Sequence, residues 1–251
     1  MRKSLVVPAV ALIAALAYSS GLYGQSTDRS AKSNPPAAMN PTPDLSGVWR
    51  PHAPPSARSY SGIAFIKEEP PMTPWAVAKY HEAKPTFGPN AVAVEDSNSP
   101  DYNCLPPGVP YIYLRPHPFE FVQGTGRVIM YFEYDHFVRE IFLDGRPHPD
   151  DLDPTWMGHS IGHYEGDTLV VDTVGFNDKT WLDRIGHPHS DQLHLIERFR
   201  RVNHDTLRDD ITIEDPKAYT KTWTAALEFQ LRPDWDIGEF ICEEMMYAGH
   251  K

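Results

Sequence analysis

Cysteine is nearly missing from this chain: only Cys104 and Cys242 occur among 251 residues. Neither has a neighbouring His or Lys that would stabilise a reactive thiolate. The pair leaves two readings open, a single bridge closing a long loop or two buried free thiols. In an oxidising compartment the bridge would contribute ~3–5 kcal/mol by chain entropy. Positive charge is also scarce, with 23 Lys and Arg against 34 Asp and Glu and a formal charge of −11. Nucleic-acid binding needs clustered cations. The densest cluster, Arg198, Arg200 and Arg201, is broken by Phe199 and followed by acidic residues, so it reads as one exposed strand face. No phosphate-cradling glycine loop occurs, and Ser160 and Ser190 lack the elbow context of a catalytic serine.

A long apolar run is lacking too. The single candidate, Leu5 to Ala17, is shorter than the ~20 residues a spanning helix needs. With Arg2 and Lys3 before it and small residues at Ala17, Ser19, Ser20 and Gly24 after it, the segment reads as a signal peptide over 1–24, cleaved after Ser19 or Gly24. Its removal leaves no stable membrane span and a more acidic chain. Residues 25–55 are rich in Ser, Thr, Ala, Asn and Pro and read as a flexible linker. The remainder, 56–251, suits one domain.

What is abundant is β-pattern. Thr73-Pro74-Trp75 opens one short helix to about Lys84, with Thr as cap and Pro at the first position. Pro85 to Pro110 reads as a long surface loop. Alternating strands then recur: Phe119–Gln123, Arg127–Tyr134, Phe137–Leu143, His159–Tyr164, Thr168–Val174, Leu193–Val202, Thr206–Ile213, Thr222–Leu231 and Ile237–Glu243, mostly joined by tight turns. With Leu45–Arg50 this predicts an all-β, mainly antiparallel barrel of about 8–10 strands. A bridge between the cysteines would tie the Pro-rich loop to the last strand.

Alternation sorts side chains onto faces. Glu197 falls on a face with Leu193, Leu195 and Phe199; Asp209 falls with Leu207, Ile211 and Ile213. A lone buried charge is expensive, so each must be neutral, paired or hydrogen-bonded. Glu133 and Arg139 share a face and are expected to pair. Raised carboxyl pKa values in such a setting suit acid–base work, which makes Glu197 and Asp209 candidate acids or bases.

Histidine is the side chain whose charge changes near neutral pH, and His159, His163, His187, His189 and His194 crowd between Asp153 and Asn203, with His136 just upstream. His187 or His189, steered by Asp183, is the candidate for the complementary proton transfer. Trp156, Trp181 and Tyr134 would shape a ligand pocket, and His159 and Asn177 would donate hydrogen bonds; the Phe176–His189 loop is the expected recognition element. His187-Pro-His189 resembles the His-x-His start of the cupin metal motif, but the carboxylate comes too late and His194 stands in its place. Gly158 and Gly162 argue against the helix that would make His159 and His163 a zinc pair. No metal or cofactor enters the reading.

Two pieces, Asp153-Pro-Thr-Trp-Met-Gly-His-Ser-Ile-Gly and Glu165-Gly-Asp-Thr-Leu-Val-Val-Asp-Thr-Val-Gly-Phe-Asn-Asp, resemble a family of exported bacterial proteins with no assigned reaction. Gly186-His-Pro-His-Ser, Glu197-Arg-Phe-Arg-Arg, Asp44-Leu-Ser-Gly-Val-Trp and Cys104-Leu-Pro-Pro-Gly-Val-Pro extend the resemblance over most of the chain. It implies export and supplies no mechanism. Gly47-x-Trp49 is similar to the first strand of lipocalin-type barrels. The expectation is an exported, lipocalin-like barrel acting on a small, partly apolar molecule by acid–base catalysis of hydrolase, lyase or isomerase type. The alternatives are a non-catalytic small-ligand carrier and an envelope module whose His-rich loop contacts another protein.

Overall fold

The computed structural model describes residues 42–52 and 62–243. The expected leader and most of the expected linker lie outside the described residues. Nine strands close into one barrel in sequence order: β1 (Gly47–His52), β2 (Phe119–Gly124), β3 (Arg127–Phe132), β4 (Val138–Phe142), β5 (His159–Glu165), β6 (Thr168–Val174), β7 (His194–Asn203), β8 (Thr206–Glu214) and β9 (Trp223–Leu231). Neighbours are antiparallel except β4 and β5, which run parallel after the 143–158 crossover. The single α-helix of the described residues, α1 (Pro74–Glu82), starts at Thr73, whose hydroxyl accepts from the Ala76 N–H at 3.3 Å. Among the described residues no helix is long and apolar enough to cross a membrane.

The barrel begins earlier than the composition suggests. Strand β1 lies inside the stretch read as linker, where it pairs with β2 on one side and β9 on the other. Its apolar residues explain this: Trp49 is fully buried and donates its indole N–H to the Leu45 carbonyl at 2.9 Å. Gly47 is needed beside it, since its φ is +123° and a Cβ there would sit 2.7 Å from Leu231 Cδ1. By closing on β9, β1 also occupies the edge that a strand at Ile237–Glu243 would need. That strand is not formed; Phe240 makes one parallel bridge to Tyr134. Just beyond it, Cys242 is disulfide-bonded to Cys104, with Cα atoms 5.5 Å apart. The bridge therefore ties the Pro-rich segment to a tail rather than to a strand.

The Pro-rich segment is not a surface loop at its end. Residues 107–110 are buried, and so is the whole of the 3₁₀ turn Tyr111–Leu114 that follows. The Tyr113 ring packs among Phe119 and Phe132 at 6.0 Å, Phe229 at 5.9 Å and Phe199 at 6.3 Å, residues of β2, β3, β9 and β7. The lumen is thereby filled by side chains, as in other small barrels.

Candidate functional site

Inside the barrel, strand alternation holds as expected: Glu197 and Asp209 both point inward and are fully buried. Glu197 faces Ile211 and Asp209 faces Phe199 across the β7–β8 ladder, which makes the two carboxylates diagonal neighbours on one face. Arg139 of β4 meets Glu197, its guanidinium spanning both carboxylate oxygens. It also donates to Ser160 Oγ at 3.1 Å, to Thr173 Oγ1 at 2.8 Å and to the Tyr113 hydroxyl. Tyr113 in turn donates to Glu197 Oε1 at 2.8 Å. All five donors of a planar guanidinium suit such a site, which is why arginine rather than lysine can be enclosed here.

The expected Glu133–Arg139 pair is not formed. Asp135 and His136 adopt φ of 48° and 53° in the turn from β3 to β4, so alternation does not carry through it. Glu133 instead meets His117 Nδ1 at 3.1 Å and the Gly238 N–H at 3.1 Å.

Asp209 accepts the Arg198 N–H at 3.2 Å through one oxygen, and its Oδ2 has no partner among the described residues. Burial pushes its carboxyl well above the usual range, and the Glu197 charge adds to this.

At one end of the sheet the loop after β6 folds back on itself. Trp181 and Pro188 form an antiparallel bridge, and Leu182 donates its N–H to the His187 carbonyl at 2.8 Å. Asp183 closes the turn, accepting from the Ile185 and His187 N–H groups at 3.1 and 3.2 Å and from His187 Nδ1 at 2.6 Å. The orientation of His187 by Asp183 is thus present. His187 Nε2 reaches Glu69 at 2.9 Å, and the ring stacks on Tyr80 of α1 at 4.9 Å. Burial alone would lower this imidazole's pKa, but the Asp183 and Glu69 carboxylates outweigh it and hold it up to about 9. At neutral pH it is a cation with both nitrogens engaged, and it has no lone pair to act as base.

His189 differs in every respect. Burial lowers its pKa, so the neutral ring dominates. Nδ1 lies 3.1 Å from the Ser190 carbonyl, which can only accept, so Nδ1 carries the hydrogen. Nε2 must then accept from the Thr180 hydroxyl at 2.7 Å. Ser190 is itself fixed, its N–H and hydroxyl bonded to Asp215 at 2.6 and 2.7 Å. Thr180 and His189 line a groove of ≈ 230 Å³ between α1 and the hairpin, walled by Trp75, Trp181 and Pro188, with Lys179 on its lining.

His187 and His189 thus serve separate clusters, and neither hydrogen-bonds to Glu197 or Asp209. Among the described residues no group of three or more His, Cys, Asp or Glu is arranged to hold a metal ion. Trp156 adjoins the groove through Lys179, whose ammonium lies 5.9 Å from its ring centroid, and Asn177 accepts the Lys179 N–H at 3.1 Å.

The other expected site residues lie in two further groups. Tyr134 stacks on Phe240 at 5.1 Å under the Arg115 guanidinium, beside the disulfide, while His136 Nε2 meets the Gly238 carbonyl at 3.2 Å. His159 joins a polar chain on the outside of the barrel: His148 Nδ1 at 2.8 Å, then Asp172, His194 and Glu214.

Comparison with protein-family models, curated proteins and solved structures returned no match. Function is therefore read from geometry. Tyr113, Thr173 and Thr180 were not singled out by sequence reading. The buried run Tyr111-Ile-Tyr-Leu114 was a usable signal for the first. Thr180 had none, because its pairing with His189 arises only from the Trp181–Pro188 register.

Proposed function

We propose that this chain is an exported barrel protein that captures a small, partly apolar molecule in the groove between α1 and the 177–189 hairpin. The observation that carries this is the groove itself. Two indoles and two prolines supply apolar walls beside the charged Lys79, Glu82, Asp178 and Lys179, and a buried hydroxyl–imidazole pair supplies a fixed polar contact. The N-terminal leader pattern and the disulfide between Cys104 and Cys242 fit an oxidising, exported setting. The lumen offers no such support, because Tyr113 and the Arg139–Glu197 pair occupy it.

Titration of the purified mature chain with a panel of compact aromatic alcohols, acids and esters tests the reading. Ligands should change tryptophan fluorescence, and Trp181→Ala should weaken binding by ~1–3 kcal/mol, the worth of a well-packed aromatic contact. A panel without response, together with a Trp181→Ala variant indistinguishable in co-purified small molecules, would sink it. Expression with the leader intact should yield a shortened chain outside the cytoplasm.

A further inference from the structure

We propose that Thr180 and His189 form a nucleophile–base pair that makes the groove an acyl-transfer site for small esters with an apolar or aromatic part. The inference rests on the groove being a ligand site and goes one step beyond it.

Three features distinguish this pair from an ordinary buried hydrogen bond. The first is direction: the Ser190 carbonyl fixes the imidazole hydrogen on Nδ1, which leaves the Nε2 lone pair facing the Thr180 hydroxyl at 2.7 Å. That is the arrangement of nucleophile, base and orienting third group on which hydroxyl nucleophiles depend. The second is bracing. Asp215 holds Ser190 through two bonds, and its charge favours the imidazolium that would form during attack. The third is space. Thr180 and His189 both border the groove, so its open volume reaches the pair.

The step balances with water as the only co-reactant. Thr180 Oγ1 bonds to the ester carbonyl carbon while its proton passes to His189 Nε2. The tetrahedral oxyanion collapses and breaks the bond to the alcohol oxygen, which takes the proton from Nε2. A water molecule, deprotonated by the same nitrogen, then adds to the acyl carbon. Thr180 Oγ1 departs with that proton, and a carboxylic acid is released.

The full mature chain incubated with p-nitrophenyl acetate and p-nitrophenyl benzoate provides the test. The expected result is a burst of nitrophenolate of about one equivalent and a mass gain of one acyl group that peptide mapping places on Thr180. Thr180→Ser should retain the burst, Thr180→Val should abolish it, and His189→Gln should slow acylation by about 10²-fold or more. Acylation in the unmodified chain should fall as pH drops through the His189 titration. An unacylated chain, or acyl groups found only on lysines, overturns the proposal without reference to how any variant folds. If tryptophan fluorescence then still reports binding of the corresponding non-hydrolysable ketone, the groove reading survives; if it does not, both fall.

Discussion

Replacing Arg139 with methionine should be among the most damaging single changes in this protein, and the expected size follows from its contacts. The guanidinium is buried, with 1 % of its side chain exposed, and lies against a Glu197 carboxylate that is 0 % exposed. Removing one member of such a pair leaves an uncompensated buried charge and costs about 3–5 kcal/mol. The neutral partners add little, because Ser160 and Thr173 remain 3.0 Å apart and Tyr113 still donates to Glu197. Against a total stability of about 5–15 kcal/mol this is a large fraction, and in a domain of this size it lowers Tm by roughly 6–20 °C. The double variant Arg139→Met/Glu197→Leu removes both charges and should recover most of the loss, as apolar replacement of buried pairs commonly does. Urea unfolding followed by tryptophan fluorescence, with the disulfide oxidised, gives all three free energies. A single-variant loss below about 1 kcal/mol, or a double variant less stable than the single, would refute the reasoning that the lumen is held by charge pairing.

The raised Asp209 pKa means that the folded chain binds a proton the unfolded chain has lost above about pH 4, so stability should fall as pH rises through the folded value. Asp209→Asn should flatten that slope and stabilise the chain at neutral pH; identical slopes in the two proteins would contradict it. His187 acts with the same sign, because its folded pKa is also raised: its contribution is complete below about 6.5 and disappears as pH rises through about 9. In His187→Gln, denaturation midpoints measured across that window should lose this decline. The Cys104–Cys242 bridge spans a sequence separation of 138, for which chain entropy gives about 5 kcal/mol. The Cys104→Ser/Cys242→Ser variant should therefore unfold at much lower urea, and an unchanged midpoint would count against the bridge as a stabiliser.

The barrel was readable because its evidence is local. A period of two survives through β8 and β9 and through β7 up to the irregularity between Arg201 and Asn203, and the charged residues on those faces, Glu197 and Asp209, were placed inward by alternation alone. Alternation failed where the chain leaves the ladder. The left-handed pair Asp135–His136 breaks the phase between Glu133 and Arg139, so the partner chosen for Arg139 came from the turn after β3 and not from β7. The final strand was misread for a different reason: Ile237–Glu243 has strand character, but β1 had already taken the only edge β9 offers. Pairing is a property of the whole sheet, and no window of sequence contains it. The same holds for the groove. Trp75 and Trp181 are about a hundred residues apart, and only the packing of α1 against the hairpin brings them to one wall.

The location of the groove follows from how the lumen is used. A nine-stranded barrel must fill its interior with side chains or enclose a ligand. Here Tyr113 enters from the 3₁₀ turn and completes the polar bonds of Arg139 and Glu197, so evacuating it for a ligand would strand a charge pair. The proposed ligand site therefore falls among the loops, where ordering is harder to achieve. The hairpin meets that difficulty with two buried carboxylates acting on backbone: Asp183 accepts two N–H groups of its own turn, and Asp215 holds the start of the next segment through Ser190. Each fixes a histidine directly or at one remove, and the two imidazoles end in opposite states, a saturated cation at 187 and a neutral ring with a bonded hydroxyl at 189. A pair of histidines two residues apart with such different partners cannot share a role: the first locks the hairpin onto α1, and the second faces the groove.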